Sequence, residues 1–278
     1  MTNDIAYISS TDTSRQSRLA AAKTVKWDGQ PQAKGIEILK GTGGMIVSPN
    51  KVGYIIMTSD LQGLERKFAA KKRKRNKPGV VLCGSLEQVK QLAQMTPEIE
   101  ALYQKHWDQD ILLGCILPWQ ASAKQLLPDD GTKELMMDKR ETSCFVIRFG
   151  KPSEQIAQEL WSKYQRFSFA SSANPSGQGN RGLVTGIGER IEAAADMIIE
   201  ANDYVASIQP DKTADTRYEQ GVMVSMVDES GELVPKQNGH VGVSPAPIVI
   251  RKGLDVDKIM ENMSQIFSTW TYQHGLYY

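Results

Sequence analysis

From Ile36 onward the chain alternates short apolar runs with segments of helical spacing, and this alternation restricts its fold more than any other feature. "GIEILKGTGG" (35–44) ends a helix on glycine, as helix C-termini prefer. "MIVS" (45–48) and "GYIIMTS" (53–59) read as buried strands divided by a turn at Pro49-Asn50. Leu61, Leu64 and Phe68 stand at i, i+3 and i+7 and predict a helix over 61–70. Val80–Leu82 reads as a strand and Leu86–Leu92 as an amphipathic helix. "ILLGCIL" (111–117) and "CFVIRF" (144–149) lack strict alternation, as strands covered on both faces do. Ser153–Tyr164 predicts a helix, "RFSFASSA" (166–173) a strand running into a loop, and Ile187–Ile199 another helix. "MVSMVD" (223–228) and "PIVIRKG" (247–253) close the body as strands. The expected class is an α/β fold with a twisted, open, mixed sheet flanked by helices.

Three segments lie outside that pattern. Residues 1–35 are read as a polar N-terminal arm, and 203–245 as a loop-rich insertion around one strand. In 254–278, Ile259, Met263, Ile266, Phe267 and Trp270 recur at helical spacing and predict a docking helix. The net charge of +1 over 278 residues gives no global attraction to nucleic acid, so any basic site must be local. No apolar run approaches membrane-spanning length, and the N-terminus has no signal-like apolar core, so the expected location is the cytoplasm. Cys83, Cys115 and Cys144 are odd in number and widely spaced, which fits buried thiols rather than a disulfide or metal framework. His106, His240 and His274 form no familiar catalytic order.

Two stretches carry chemistry. Lys71-Lys72-Arg73-Lys74-Arg75 are five consecutive cations that leave a helix and enter an apolar strand just beyond Pro78. Fixed like charges are costly together unless an anion joins them, and the expected place is a sheet edge where open α/β folds bind ligands. A solvated charge face reads equally well from composition. "SFASSANPSGQGN" (168–180) sets Ser171, Ser172, Asn174 and Ser176 among glycines after an apolar strand. Hydroxyls, an amide and glycine-exposed N–H groups suit a phosphate or carboxylate, though the same residues also make ordinary turns.

Together these stretches resemble the YrdC-like family of threonylcarbamoyl-AMP synthases. Lys71, Arg73 and Pro78 match its K-x-R-x-x-x-x-P signature, and Ser172-Ala173-Asn174 with Ser176-Gly177 its S-x-N loop. "GGMIVSPNKVGY", "CFVIRFGKP", "MVSMVD" and "IVIRKG" resemble further family landmarks in the same order. The resemblance spans residues 36–253.

It implies an ATP-dependent nucleotidyltransferase that joins L-threonine, bicarbonate and ATP into threonylcarbamoyl-AMP and pyrophosphate, in tRNA threonylcarbamoyladenosine modification. By resemblance Lys71 and Arg73 would be catalytic and grip phosphate and carbamate. Ser172, Asn174, Ser225 and Arg251 would bind the nucleotide, and Asn50, Tyr54 and Arg148 the amino acid. Magnesium would ride on the phosphates, with no protein metal site. The implied partners are ATP, bicarbonate and threonine or another amino acid, with tRNA or another RNA left open and no membrane.

The chain also departs from the family. Asn50-Lys51-Val52 stand where the family has a threonine, an acid and a hydroxyl, and Ile55-Ile56-Met57 replace small residues. Gly53-Tyr54 and "KRETSCFVIR" (139–148) resemble the YciO branch instead. Two functional classes therefore stay open: a carbamoyl-adenylate-forming enzyme with altered amino-acid specificity, and a YciO-like nucleotide- or RNA-binding protein with weak or no synthase activity.

Overall fold

The computed structural model describes residues 23–72, 79–175 and 177–275. Its strands are β1 (Thr24–Lys26), β2 (Met45–Asn50), β3 (Gly53–Thr58), β4 (Val80–Leu82), β5 (Leu113–Pro118), β6 (Thr142–Ile147), β7 (Phe169–Ser172), β8 (Met197–Glu200), β9 (Val222–Ser225), β10 (Ile248–Arg251) and β11 (Thr271–Tyr272). They form one mixed sheet in the order β1-β8-β2-β3-β7-β4-β6-β5-β9-β10-β11. The helices are α1 (Ala33–Lys40), α2 (Leu61–Lys71), α3 (Leu86–Leu92), α4 (Pro97–Asp108), α5 (Ala121–Lys124), α6 (Thr132–Met136), α7 (Lys151–Tyr164), α8 (Glu189–Ala194), α9 (Asn202–Ile208) and α10 (Val256–Ile266).

Alternation along the central strands sorts side chains to two faces. Val81, Cys115, Phe145 and Phe169 enter one core with Val89 of α3, Leu102 of α4 and Ile259 of α10. Met57, Leu82 and Ala170 point the other way and meet Ile36 and Leu39 of α1 and Ile156 and Leu160 of α7. Local signals fix the helix starts. Asp60 accepts from Gly63 N (2.8 Å), Ser85 from Gln88 N (3.1 Å) and Thr96 from Ile99 N (3.3 Å), each satisfying an otherwise orphaned donor.

Several expectations are corrected. Pro49 and Asn50 are not the turn; they pair with Tyr54 and Gly53, and the turn falls on Lys51-Val52. β8 pairs with β2 only at Ile46 and Val47, so no ladder bond is required of Pro49 on that side. The helix expected over Ile187–Ile199 stops at Ala194, and Met197–Glu200 is a strand between β1 and β2. Residues 23–35, read as arm, supply β1 and the start of α1; residues 1–22 lie outside the described residues. The 203–245 segment contains most of α9 as well as β9. β4, which follows the basic run in sequence, lies mid-sheet with β7 and β6 on either side, and the expected placement of Arg73, Lys74 and Arg75 falls outside the described residues. Among the described residues, no helix is long and apolar enough to cross a membrane.

Candidate functional site

On the face shared with α1 and α7, the sheet is open over its centre and forms a cavity of about 270 Å³. Val80 and Leu82 of β4, Cys144 and Val146 of β6, Ile116 of β5 and Ala170 of β7 make an apolar floor. Gly114 keeps that floor low: a Cβ there would stand 2.9 Å from Cys144 Sγ. Cys144 itself is no nucleophile at neutral pH, because burial pushes its thiol up to about 12.

Polar groups gather at one wall. α2 runs back from the end of β3 and stops beside the end of β7, which brings Lys71 to Ser172. Lys71 is only 7% exposed. Its Nζ donates to the Ser172 carbonyl, to Ser172 Oγ at 3.1 Å and to Asn174 Oδ1 at 3.2 Å. A lysine in the last turn of a helix also meets the negative end of the helix dipole. Lys71 and two residues about a hundred positions further along the chain, each expected from sequence, thus form one cluster. Arg73, Pro78 and Ser176 lie outside the described residues.

Asn180 holds the Ser-rich loop against β3, and sequence reasoning did not single it out. Its Nδ2 donates to Tyr54 O (3.0 Å) and Ala173 O (3.1 Å), and its Oδ1 accepts from Gly182 N (3.0 Å). This close approach requires glycine at position 53, where φ is +140° and a Cβ would lie 2.2 Å from Asn180 Oδ1.

The remaining expected residues divide. Arg251 lines the cavity on the wall away from Lys71, and its Nε donates to Gly221 O at 2.9 Å. Asn50 lines it too, but its Oδ1 accepts from Val52 N at 2.9 Å and shapes the hairpin turn. Tyr54 offers only its body to the cavity. Its hydroxyl donates to Asn202 Oδ1 (2.7 Å) and accepts from Ala201 N (2.9 Å), and burial raises its pKa well above the usual tyrosine range. Ser225 is buried with its Oγ donating to Val227 O at 3.2 Å, and it is not a lining residue. Arg148 is not one either: its guanidinium lies 3.8 Å from the Trp107 ring centre and its Nε donates to Trp107 O.

The departures noted in the sequence also sort themselves. Lys51 turns its ammonium to Asp110 (2.8 Å to Oδ1), so it brings no free charge to the cavity. Val52 and Ile55 do line it, whereas Ile56 and Met57 are buried in the flanking cores. Lys67 and the loop residues Glu219 and Gln220 are lining residues that sequence reasoning missed. Lys67 was findable, since it stands four residues before Lys71 on the same helical face.

Fold and cavity together define an α/β protein with an open mixed sheet whose central cavity has an apolar floor and a wall with Lys71 and Ser172, behind which Asn174 is tied to Lys71 without lining the cavity itself. The chain belongs to the Sua5/YciO/YrdC family: residues 38–224 match that family, described as "Telomere recombination" (Sua5_yciO_yrdC). The crystal structure of the hypothetical protein smu.1377c from Streptococcus mutans UA159 is 64% identical, with a TM-score of 0.88 over 92% of this chain and 99% of that one. The structure of E. coli YciO gives a TM-score of 0.57 at 17% identity, over 83% of this chain and 94% of that one. P. abyssi Sua5 complexed with L-threonine also gives 0.57, at 20% identity, over 87% of this chain and 61% of that one. These last two likenesses are of fold. No match was found among curated proteins.

Proposed function

We propose that this chain is an ATP-dependent, carbamoyl-adenylate-forming nucleotidyltransferase of the threonylcarbamoyl-AMP synthase type, acting in tRNA modification in the cytoplasm. The observation that carries this reading is the convergence of Lys71 and Ser172 at one wall of the central cavity, with Asn174 bonded to Lys71 beside them. The amine of an amino acid condenses with bicarbonate, losing water, to give a carbamate. A carbamate oxygen attacks the α-phosphorus of ATP, the bond to the bridging oxygen breaks, and pyrophosphate leaves with the electron pair. Negative charge grows on that oxygen, and catalysis of this type rests on positioning and fixed positive charge rather than on a covalent protein group. Lys71 and Arg73 are assigned to that charge, Ser172 and Asn174 to the phosphate end of the nucleotide, and Arg251 to the far wall. Ser225 and Arg148 would need to move from the contacts described above to reach a substrate.

Magnesium is assigned to phosphate oxygens. Such an ion usually keeps several waters and takes few protein ligands, arriving with its triphosphate. The amino acid would lie against Asn50, Tyr54, Val52 and Ile55.

A second reading, a YciO-like nucleotide- or RNA-binding protein with little synthase activity, draws on the apolar Val52 and Ile55 and on an Arg148 committed to Trp107. Pyrophosphate release from ATP, measured with bicarbonate and a panel of amino acids, separates the two. Release that depends on both co-substrates supports the enzyme; nucleotide binding without release supports the second reading.

A further inference from the structure

Glu219 is the acidic side chain among the described residues that line the cavity, and it lies in the loop leading into β9. The residue is exposed, which puts its carboxylate at the cavity mouth rather than on the floor. One oxygen, Oε1, accepts the backbone N–H of Arg181. The other, Oε2, lies so close to Gly179 that a Cβ there would collide with it. The Arg181 guanidinium pairs with Asp215, four residues before Glu219. The loop before β9 is thus clasped to the end of the serine-rich segment, and the clasp holds the Glu219 carboxylate at one end of the cavity.

That end is the one assigned to the amino acid. Asn180, between Gly179 and Arg181, is the side chain that donates to Tyr54 O and crowds Gly53. Two residues after Glu219, Gly221 abuts Leu112, where a Cβ on the glycine would stand 2.8 Å from Leu112 Cδ2. Leu112 shares one apolar cluster with Val52 and Ile55. Glu219 is therefore flanked on both sides by residues that touch the wall formed by Val52, Tyr54 and Ile55.

The clasp itself does not require a charge at position 219. A neutral amide oxygen would accept the Arg181 N–H equally well, and the Arg181 guanidinium goes to Asp215 instead. An amino acid at neutral pH brings an ammonium, which offers three N–H donors and no acceptor. On this wall the neutral oxygens are engaged: Asn50 Oδ1 accepts from Val52 N, and the Tyr54 hydroxyl is held by Asn202 and Ala201. A carboxylate complements the ammonium in both charge and hydrogen bonding.

We propose that Glu219 binds the amino group of the amino-acid substrate and so selects amino acids over the corresponding hydroxy acids. The assignment deepens the carbamoyl-adenylate reading given above and rests on it, because in that reading the amine is the group that is carbamoylated. Recognition of the amine then belongs to Glu219, and recognition of the side chain to Val52 and Ile55.

The test is calorimetric titration of the full-length chain with valine, threonine and 2-hydroxyisovalerate, which carries a hydroxyl in place of the amine of valine. ATP and magnesium are present and bicarbonate is depleted. The wild-type chain binds valine more tightly than the hydroxy acid by about tenfold or more. Glu219→Gln keeps the shape and the acceptor for the Arg181 N–H but loses the charge. Its valine affinity falls by about fivefold or more, at the upper end for a partly screened ion pair, while its affinities for the hydroxy acid and for ATP stay within about twofold. Arg181→Ala removes the ion pair with Asp215 and leaves the Glu219 carboxylate, so it keeps the preference for the amine. Unchanged valine affinity in Glu219→Gln, or an equal loss for valine and the hydroxy acid, overturns the assignment and leaves the carbamoyl-adenylate reading standing. A wild-type chain that binds ATP but neither amino acid overturns both.

Discussion

Lys71 Nζ stands 3.1 Å from Ser172 Oγ, joining the last turn of α2 to the last residue of β7. The contact closes a gap of 101 residues in sequence and ties the C-terminal end of α2 to the serine loop. Lys71→Ala removes both a charge and the bonds that hold the loop. ATP affinity should fall by about tenfold or more, equivalent to roughly 1.4 kcal/mol, and Arg73→Ala should cost as much. Lys74→Ala should change it by less than about twofold. Titration calorimetry reads all three, and equal losses at the three positions would mean a diffuse field in place of specific ligands.

Asn174 donates from Nδ2 to Pro175 O at 3.1 Å and to the Gln178 carbonyl, and accepts from Lys71. Asn174→Ala should weaken nucleotide binding by about 1.5–3 kcal/mol, the usual worth of a hydrogen bond to a charged group. The loop lies at the surface, so the thermal midpoint should drop by only a few degrees at most. A large drop in that midpoint with unchanged affinity would make the loop structural.

His106 is fully buried in α4, with Nδ1 2.7 Å from Leu102 O and Nε2 3.4 Å from Asn262 Nδ2. A neutral ring that donates from Nδ1 and accepts at Nε2 satisfies both partners. Burial lowers its pKa from 6.5 to about 4. Between those values the unfolded chain binds a proton that the folded chain refuses, so stability is full above pH 6.5 and falls as pH drops through the window. The loss should approach roughly 3 kcal/mol. Urea unfolding between pH 7 and 4.5 measures it, and a flat profile there would mean that the ring is charged when folded.

The legibility of this fold follows local signal strength. Val80–Leu82 and Leu86–Leu92 were readable with their observed bounds because Pro78 and the Ser85 cap punctuate them. β8 was misread as helix because a strand with parallel neighbours on both sides shows a continuous apolar run, "MIIE", and not an alternation. α4 went unread although Thr96-Pro97 marks its start as a capping residue followed by proline at the first turn. In the site, Lys71, Ser172 and Asn174 were visible because each belongs to a short motif. Asn180 was not, since its value lies in reaching Tyr54 across 126 residues. Nothing local distinguishes it from a turn asparagine.

Amino-acid choice is the most exposed consequence of the cavity wall. A pocket for threonine must pair the substrate's hydroxyl, because a buried hydroxyl without a partner is costly. Val52 and Ile55 offer none, the Tyr54 hydroxyl is taken by Asn202 and Ala201, and Asn50 Oδ1 is taken by Val52 N. Lys51, which in sequence looked like a reversal of charge in the pocket, is neutralised by Asp110, so shape and hydroxyl pairing are left to decide. Discrimination by an apolar pocket between side chains differing by one small group is limited to about ten- to a few-hundredfold. Threonine-dependent pyrophosphate release should therefore be weak, and valine or another small amino acid should match or exceed it. Val52→Thr, which supplies a hydroxyl with almost no change of shape, should raise the ratio of threonine to valine turnover by several-fold. Strong threonine selectivity in the wild-type chain would instead mean that another group, such as Gln220 on the opposite loop, completes the pocket once substrate is bound.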